Sequence, residues 1–165
     1  MRVRELMSQP VVSSAIGDTL ERPAKLMWDR DCGAVPVVYD DGRLAGIVTD
    51  RDICMAALFH GRPLSEIPVA HAMSADVSTC RPGDDLAEAE HMMSARQVHR
   101  LPVVGASGEP VGMLSVSDIA QIARRQGKQR PSGAPNGEFV ETIAAICLPR
   151  AQGDHTENEP VPLMV

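Results

Sequence analysis

The chain has 165 residues, is 44% hydrophobic, and carries 13 glycines, 13 prolines and a formal net charge of −6; it is expected to fold as one compact body or as two small subdomains sharing a core. The acidic balance argues against nucleic acid or an anionic membrane as partner, and Trp28, Tyr39, Phe59 and Phe139 are the only aromatics available to stack on bases. No run approaches the roughly 18 apolar residues of a membrane span and the opening segment has no apolar signal core, so a cytoplasmic protein with free thiols at Cys32, Cys54, Cys80 and Cys147 is expected.

In chain order, the first element is a short extended stretch, Val11-Val12-Ser13. Asp18 stands where its carboxylate would accept from the free amides of a following helix, and Glu21 three residues on would complete a reciprocal capping box. Leu20, Ala24, Met27 and Trp28 recur at helical spacing as its apolar face. Pro23, inside that helix, predicts a kink or a loose first turn. Two strands follow, Ala34–Tyr39 and Leu44–Thr49, joined through Asp40-Asp41-Gly42-Arg43 as an antiparallel hairpin. Their nearly unbroken apolar character implies cover on both faces. A second helix runs from Asp50 to about Phe59.

The same series returns at a fixed offset of 66 residues, with no gap. Val3, Met7 and Ser8 match Val69, Met73 and Ser74; Gly17, Asp18 and Leu20 match Gly83, Asp84 and Leu86; Met27 and Arg30 match Met93 and Arg96. Pro36-Val37-Val38 matches Pro102-Val103-Val104, and Gly42, Gly46, Asp52 and Ile53 match Gly108, Gly112, Asp118 and Ile119. A tandem duplication follows. The second copy therefore has an extended stretch at Val77-Ser78-Thr79 and a helix capped by Asp84 with Leu86, Ala89, Met92 and Met93 on its apolar face. It continues with strands Leu101–Val104 and Pro110–Ser115 around Ala106-Ser107-Gly108-Glu109, then a helix from Val116 to about Arg125.

The fold class is α/β: two tandem β-α-β-β-α repeats, over 1–60 and 69–126, with a turn-rich linker at 61–68 whose Leu64 and Ile67 can dock. Residues 127–137 are polar and rich in breakers, which predicts a flexible connector. An amphipathic helix is expected at 138–149 and a disordered tail at 150–165.

The chemistry concentrates where each second hairpin strand runs into its helix, at Gly46-Ile47-Val48-Thr49-Asp50-Arg51-Asp52 and at Gly112-Met113-Leu114-Ser115-Val116-Ser117-Asp118. A helix N-terminus offers unpaired amides and about half a positive charge to an anion, and a carboxylate there has two acceptor oxygens for the two hydroxyls of a ribose. Asp52 and Asp118 are thus candidate ribose ligands, and Thr49 and Ser115 candidate contacts to sugar or phosphate. Both motifs are equally capping boxes in form, worth about 1 kcal/mol each. Arg51, in a first helical turn, is either an anion contact or a solvated charge.

A duplicated β-α-β-β-α unit closed by Gly, two apolar residues, Thr or Ser, and Asp three residues on resembles the cystathionine-β-synthase (CBS) domain pair, over roughly residues 1–125. The Ala144-Ala145-Ile146-Cys147-Leu148-Pro149 stretch is similar to stand-alone pairs that include hypoxic-response proteins. The resemblance implies two pseudo-twofold-related units with two clefts between them, homodimerisation through the repeat helices, and sensing of an adenosine-containing ligand. AMP is the first expectation, with ADP, ATP, NAD and S-adenosylmethionine in the same class, and no other cofactor is required. Val98-His99-Arg100-Leu101-Pro102 resembles the corresponding stretch of the γ subunit of AMP-activated kinase. By that resemblance His99 and Arg100 would contact phosphate, as the planar guanidinium fork suits. The first copy has Gly33-Ala34 there, which argues for one anion-competent cleft and one that is weaker, empty or built for a neutral ligand. Adenine would lie against Val11, Ser13, Val77 and Thr79 from the first strands and Val35 and Leu101 from the hairpins, residues for which core packing is the competing role.

The expected function is a non-enzymatic regulatory module that binds an adenine nucleotide. A constitutive dimeric scaffold or stress-response protein is the alternative, and the 138–149 segment could engage a protein partner. No nucleophile–base pair or acid/base constellation suggests an enzyme. The five histidines, His60, His71, His91, His99 and His155, share no ligand spacing, so no metal site is assigned. Cys80 beside Arg81 is the better candidate for a reactive thiol and Cys32 beside Asp31 the poorer, with inert cysteine favoured for both.

Overall fold

The structure, a computed structural model, describes residues 1–120. The expectations for the last turns of the final helix, for the connector, the amphipathic segment and the tail, and for Cys147 and His155 lie outside the described residues. The elements run β1 (Ser14–Ala15), α1 (Glu21–Arg30), β2 (Ala34–Val38), β3 (Leu44–Thr49), α2 (Asp50–His60), α3 (Leu86–Arg96), β4 (Arg100–Val104) and β5 (Pro110–Ser115), with 3-10 turns at Val3–Glu5, Leu64–Glu66 and Val69–His71. Residues 116–120 begin a further helix. No helix among the described residues is long and apolar enough to cross a membrane.

The hairpins form as the apolar runs require. β2 pairs antiparallel with β3 and β4 with β5, each with an irregularity at the matching place, Val37/Val38 and Val103/Val104. β1 joins β2 in parallel through Ser14 and Val37, and its counterpart in the second copy is a single bridge from Cys80 to Val103. The first strands therefore pair just after the Val11–Ser13 and Val77–Thr79 stretches expected from the sequence. Ala34, Val35, Pro36 and Val37 are all buried, so β2 is covered on both faces.

Three details of α1 and α3 correct the sequence reading. Asp18 does not cap a helix: its Oδ2 accepts from Ala15 N and from Ser14 Oγ, both at 2.8 Å, and closes the preceding turn. Asp84 does the same for Arg81 N at 2.7 Å. With the carboxylate committed there, α1 starts at Glu21 after Leu20, and no Asp18–Glu21 capping box forms. The late start puts Pro23 in the first turn, where its missing N–H has no intrahelical acceptor, so nothing is lost and no kink is needed. Trp28 leaves the apolar face altogether. The buried stripe runs through Pro23 and Met27, and Trp28 turns outward at 88% exposure.

The tertiary arrangement has a feature that chain order conceals: the opening segment of each repeat is built into the other repeat. Val3 is buried with Cys80, Ala89, Met93, Leu101, Val103, Leu114 and Ile119, and Leu6 and Met7 pack on that second-repeat core. Reciprocally, Ile67 and Val69 are buried with Leu20, Met27, Val35, Val37 and Val48, with Leu64, Ala72 and Met73 packed against them. The linker residues Leu64 and Ile67 dock as expected. The backbone follows the same exchange. Val3 N donates to Asp84 O (3.0 Å) as Val69 N does to Asp18 O (2.9 Å), and Leu86 N donates to Met1 O (3.0 Å) as Leu20 N does to Ile67 O (2.8 Å). Ser8 bridges Met113, and Ser74 bridges Ile47.

This exchange accounts for the recurring glycine of the motif. A Cβ on Gly46 would lie 2.6 Å from Ser74 O, and one on Gly112 would lie 2.8 Å from Met7 Sδ. Each glycine lets the crossing segment of the other repeat approach the strand closely.

Candidate functional site

Both helix-start motifs close as full capping boxes. Thr49 N and Oγ1 donate to Asp52 Oδ2 at 2.9 and 2.7 Å, and Asp52 N donates to Thr49 Oγ1 at 3.2 Å. In the second copy Ser115 N and Oγ donate to Asp118 Oδ2 at 2.8 and 2.6 Å, and Asp118 N donates to Ser115 Oγ at 3.3 Å. Each carboxylate thus spends one oxygen on its helix, which leaves the other available. The copies then differ. Asp118 Oδ1 accepts from Ser8 Oγ of the crossing segment at 3.2 Å, whereas no hydrogen bond to a described residue occupies Asp52 Oδ1.

Arg100 breaks the pseudo-symmetry in a second way. It opens β4, yet its guanidinium crosses to the first repeat, where Nη1 donates to Gly33 O at 3.3 Å. Gly33 O also accepts from Asp50 N, the first residue of α2, at 3.3 Å. A Cβ on Gly33 would meet both Arg100 Nη2 and Asp50 Oδ2 at 3.0 Å. Gly33-Ala34 is therefore more than the absence of a His-Arg pair: Gly33 makes room for the arginine of the other copy. The cation stands at the start of α2, the helix that carries Thr49 and Asp52, rather than at the motif of its own repeat. The sequence offset relates Gly33 to His99, and only the folded structure shows Arg100 and Gly33 in contact.

The remaining candidates divide by burial. Val11, Ser13, Val77 and Thr79 are half-buried beside the first strands. Val35 and Leu101 have no exposed surface and pair with Val48 and Leu114 inside the two cores, which is the competing role of core packing. His99 and Arg51 are exposed. Arg51 N donates to the Asp50 side chain at 2.8 Å, and its guanidinium forms no ion pair among the described residues. Ser8 and Asp50 are not singled out by sequence reasoning, and Gly33 enters it only as a departure from the His-Arg pair; the Val3-Met7-Ser8 recurrence marks Ser8 as repeated, but not as reaching Asp118. Among the described residues no group of three or more His, Cys, Asp or Glu side chains could hold a metal.

The thiols separate clearly. Cys80, the better reactive candidate by its Arg81 neighbour, is buried, and burial with the Asp84 charge pushes its thiol up to about 11. Cys54 is exposed and Cys32 half-buried. Among these three thiols, a reagent at neutral pH is expected to modify Cys54 first and Cys80 only on unfolding. Peptide mapping of the labelled chain checks this, and early label at Cys80 would contradict the burial argument.

Comparison with known proteins matches a family model described as CBS domain to residues 3–58 and again to 65–125. The CBS domain-containing protein YhcV of Bacillus subtilis is 33% identical over 118 residues, 72% of this chain and 82% of that protein. Hypoxic response protein 1 of Mycobacterium tuberculosis is 28% identical over 148 residues, 90% of this chain and 95% of that protein. A solved structure of a hypoxic response protein I with two coordinated zinc ions aligns with a TM-score of 0.66 at 29% identity, covering 73% of this chain and 98% of that one. The CBS domain pair of protein MJ0100, solved with 5′-methylthioadenosine and S-adenosyl-L-methionine, aligns with a TM-score of 0.68 at 22% identity, over 79% and 98% of the two chains, a likeness of fold.

Proposed function

This chain belongs to the CBS domain family, and from that premise we propose that it is a non-enzymatic regulatory module that senses an adenosine-containing nucleotide, AMP first and ADP or ATP next, between its two repeats. The observation that carries the reading is the meeting of Arg100 from one repeat with the α2 start of the other, where Asp52 keeps one carboxylate oxygen uncommitted. A nucleoside monophosphate has two parts to satisfy. Its ribose hydroxyls suit Asp52 Oδ1, and its phosphate suits the Arg100 fork. Val11, Ser13, Val77 and Thr79 are the half-buried residues left to meet adenine. His99 and Arg51 take the outer contacts to phosphate, while Thr49 and Ser115, whose hydroxyl protons go to Asp52 and Asp118, accept from sugar hydroxyls. Asp118, with its second oxygen already bonded to Ser8, serves the weaker cleft. That the same fold accommodates adenosyl ligands in MJ0100 supports the class of ligand.

Binding would bridge the repeats and stiffen their relative placement. The reading includes a homodimer formed through the repeat helices, with output to a partner protein or to the segment beyond residue 126. Closure of both capping boxes is equally what a scaffold without a ligand requires, and one experiment separates the two. The full chain is melted with AMP, ADP, ATP, NADH and S-adenosylmethionine. At 100 times its dissociation constant a ligand adds about 2.7 kcal/mol, a rise of roughly 5–10 °C for a chain of this size. Asp52→Ala is expected to lower the affinity by about 10- to 100-fold, the worth of a hydrogen bond to a charged group, and to cost about 1 kcal/mol of cap stability. Asp118→Ala should cost the same stability with a smaller loss of affinity. A flat melt across the panel, repeated by calorimetry, would favour the scaffold.

A further inference from the structure

Apart from the cleft, the fold brings together two side chains that the sequence separates by the whole linker. His60 is the last residue of α2 and His71 the last residue of the 3-10 turn Val69–His71, and their rings stack with centroids 5.9 Å apart and planes inclined by 22°. Both backbones are anchored. Gly61 N caps α2 by donating to Ala57 O at 3.0 Å, and His71 N donates to Pro68 O at 3.0 Å beside the buried Ile67 and Val69. Both side chains are exposed, and neither forms a hydrogen bond or ion pair with another described residue.

We propose that His60 and His71 form a two-imidazole site for a borderline divalent transition metal of the zinc or nickel class. Neutral imidazole is a preferred ligand of such ions. An ion about 2.0–2.1 Å from one nitrogen of each ring sets the two centroids about 5–6 Å apart, the spacing already present here. The exposed rings need only turn about their terminal torsions to aim one nitrogen each at a shared ion. No third protein donor stands close enough to complete a cluster among the described residues, and a two-imidazole site leaves coordination positions for water or exchangeable ligands. The ion would tie the end of α2 to the crossing segment that completes the first core, closing the intervening linker and favouring the folded state. The site is separate from the nucleotide cleft and does not depend on it.

The test is calorimetric titration of the tag-free full chain with zinc chloride and, separately, nickel chloride. One ion per chain is expected, with a rise in melting temperature that is lost in His60→Gln and in His71→Gln. Both variants should melt like the metal-free parent, because these side chains are exposed. His91→Gln and Cys54→Ser should retain binding. Lowering the pH to about 5.5 should weaken binding, because protons compete with the ion for imidazole nitrogen. Unchanged binding in both His60→Gln and His71→Gln, or no heat with either metal, would overturn the proposal.

Discussion

Deleting residues 1–8 is expected to unfold the second repeat while the first keeps more of its protection. The segment belongs to the first repeat by sequence, but Val3 is fully buried in the second core and Leu6 and Met7 pack on it. Full burial of a Val, Leu or Met side chain stabilises by roughly 1.5–3 kcal/mol, so losing one buried and two half-buried side chains removes on the order of 5 kcal/mol. That is comparable to the whole stability of many small domains, about 5–15 kcal/mol. The deletion also frees Leu86 N, which donates to Met1 O, and the Ser8–Met113 bridge. Hydrogen exchange read by peptide should show β4 and β5 exchanging early and β2 and β3 later. Faster exchange in the first repeat, or a cooperative melt unchanged from the parent, would contradict the exchanged architecture.

Gly46→Ala is expected to destabilise the chain by about 1–3 kcal/mol, the usual cost of overpacking, and Gly112→Ala by clearly less. The two positions are equivalent in the repeat, and the difference lies in what stands opposite. At Gly46 the nearest atom is the backbone oxygen of Ser74 at 2.6 Å, which is bonded to Ile47 N and cannot withdraw without breaking the bridge. At Gly112 the atoms within reach belong to the Met7 side chain, whose thioether can change rotamer. Thermal or denaturant melts of the two single variants measure the difference directly. Equal costs would mean that the methionine is held as rigidly as the peptide.

The two glycines also show where sequence reasoning was sufficient and where it stopped. The duplication and its offset, the hairpins and the capping boxes were legible, because each depends on residues a few positions apart whose periodicity and turn chemistry are written locally. The Thr49–Asp52 and Ser115–Asp118 boxes formed as their spacing requires. The errors fell where a distant group competes for a local one. Asp18 looked like a cap, but its carboxylate serves the turn before the helix, and Leu20 N takes its acceptor from Ile67 across the fold. Trp28 fitted the helical period, yet the stripe that meets the core is set by which residues the strands and the crossing segment present.

Spacing and repetition, which need no coordinates, are enough for a tandem α/β pair with a carboxylate at each helix start and for its resemblance to the CBS family. Three-dimensional contacts alone reveal which repeat each opening segment completes, that Arg100 reaches the α2 start of the other repeat through the space left at Gly33, and that His60 and His71 meet across the linker. Those are through-space pairings between residues of two nearly identical halves. A repeat offset assigns each residue its counterpart, but it contains no term that says which half a side chain will touch; packing and backbone hydrogen bonding across the pseudo-twofold axis make that choice.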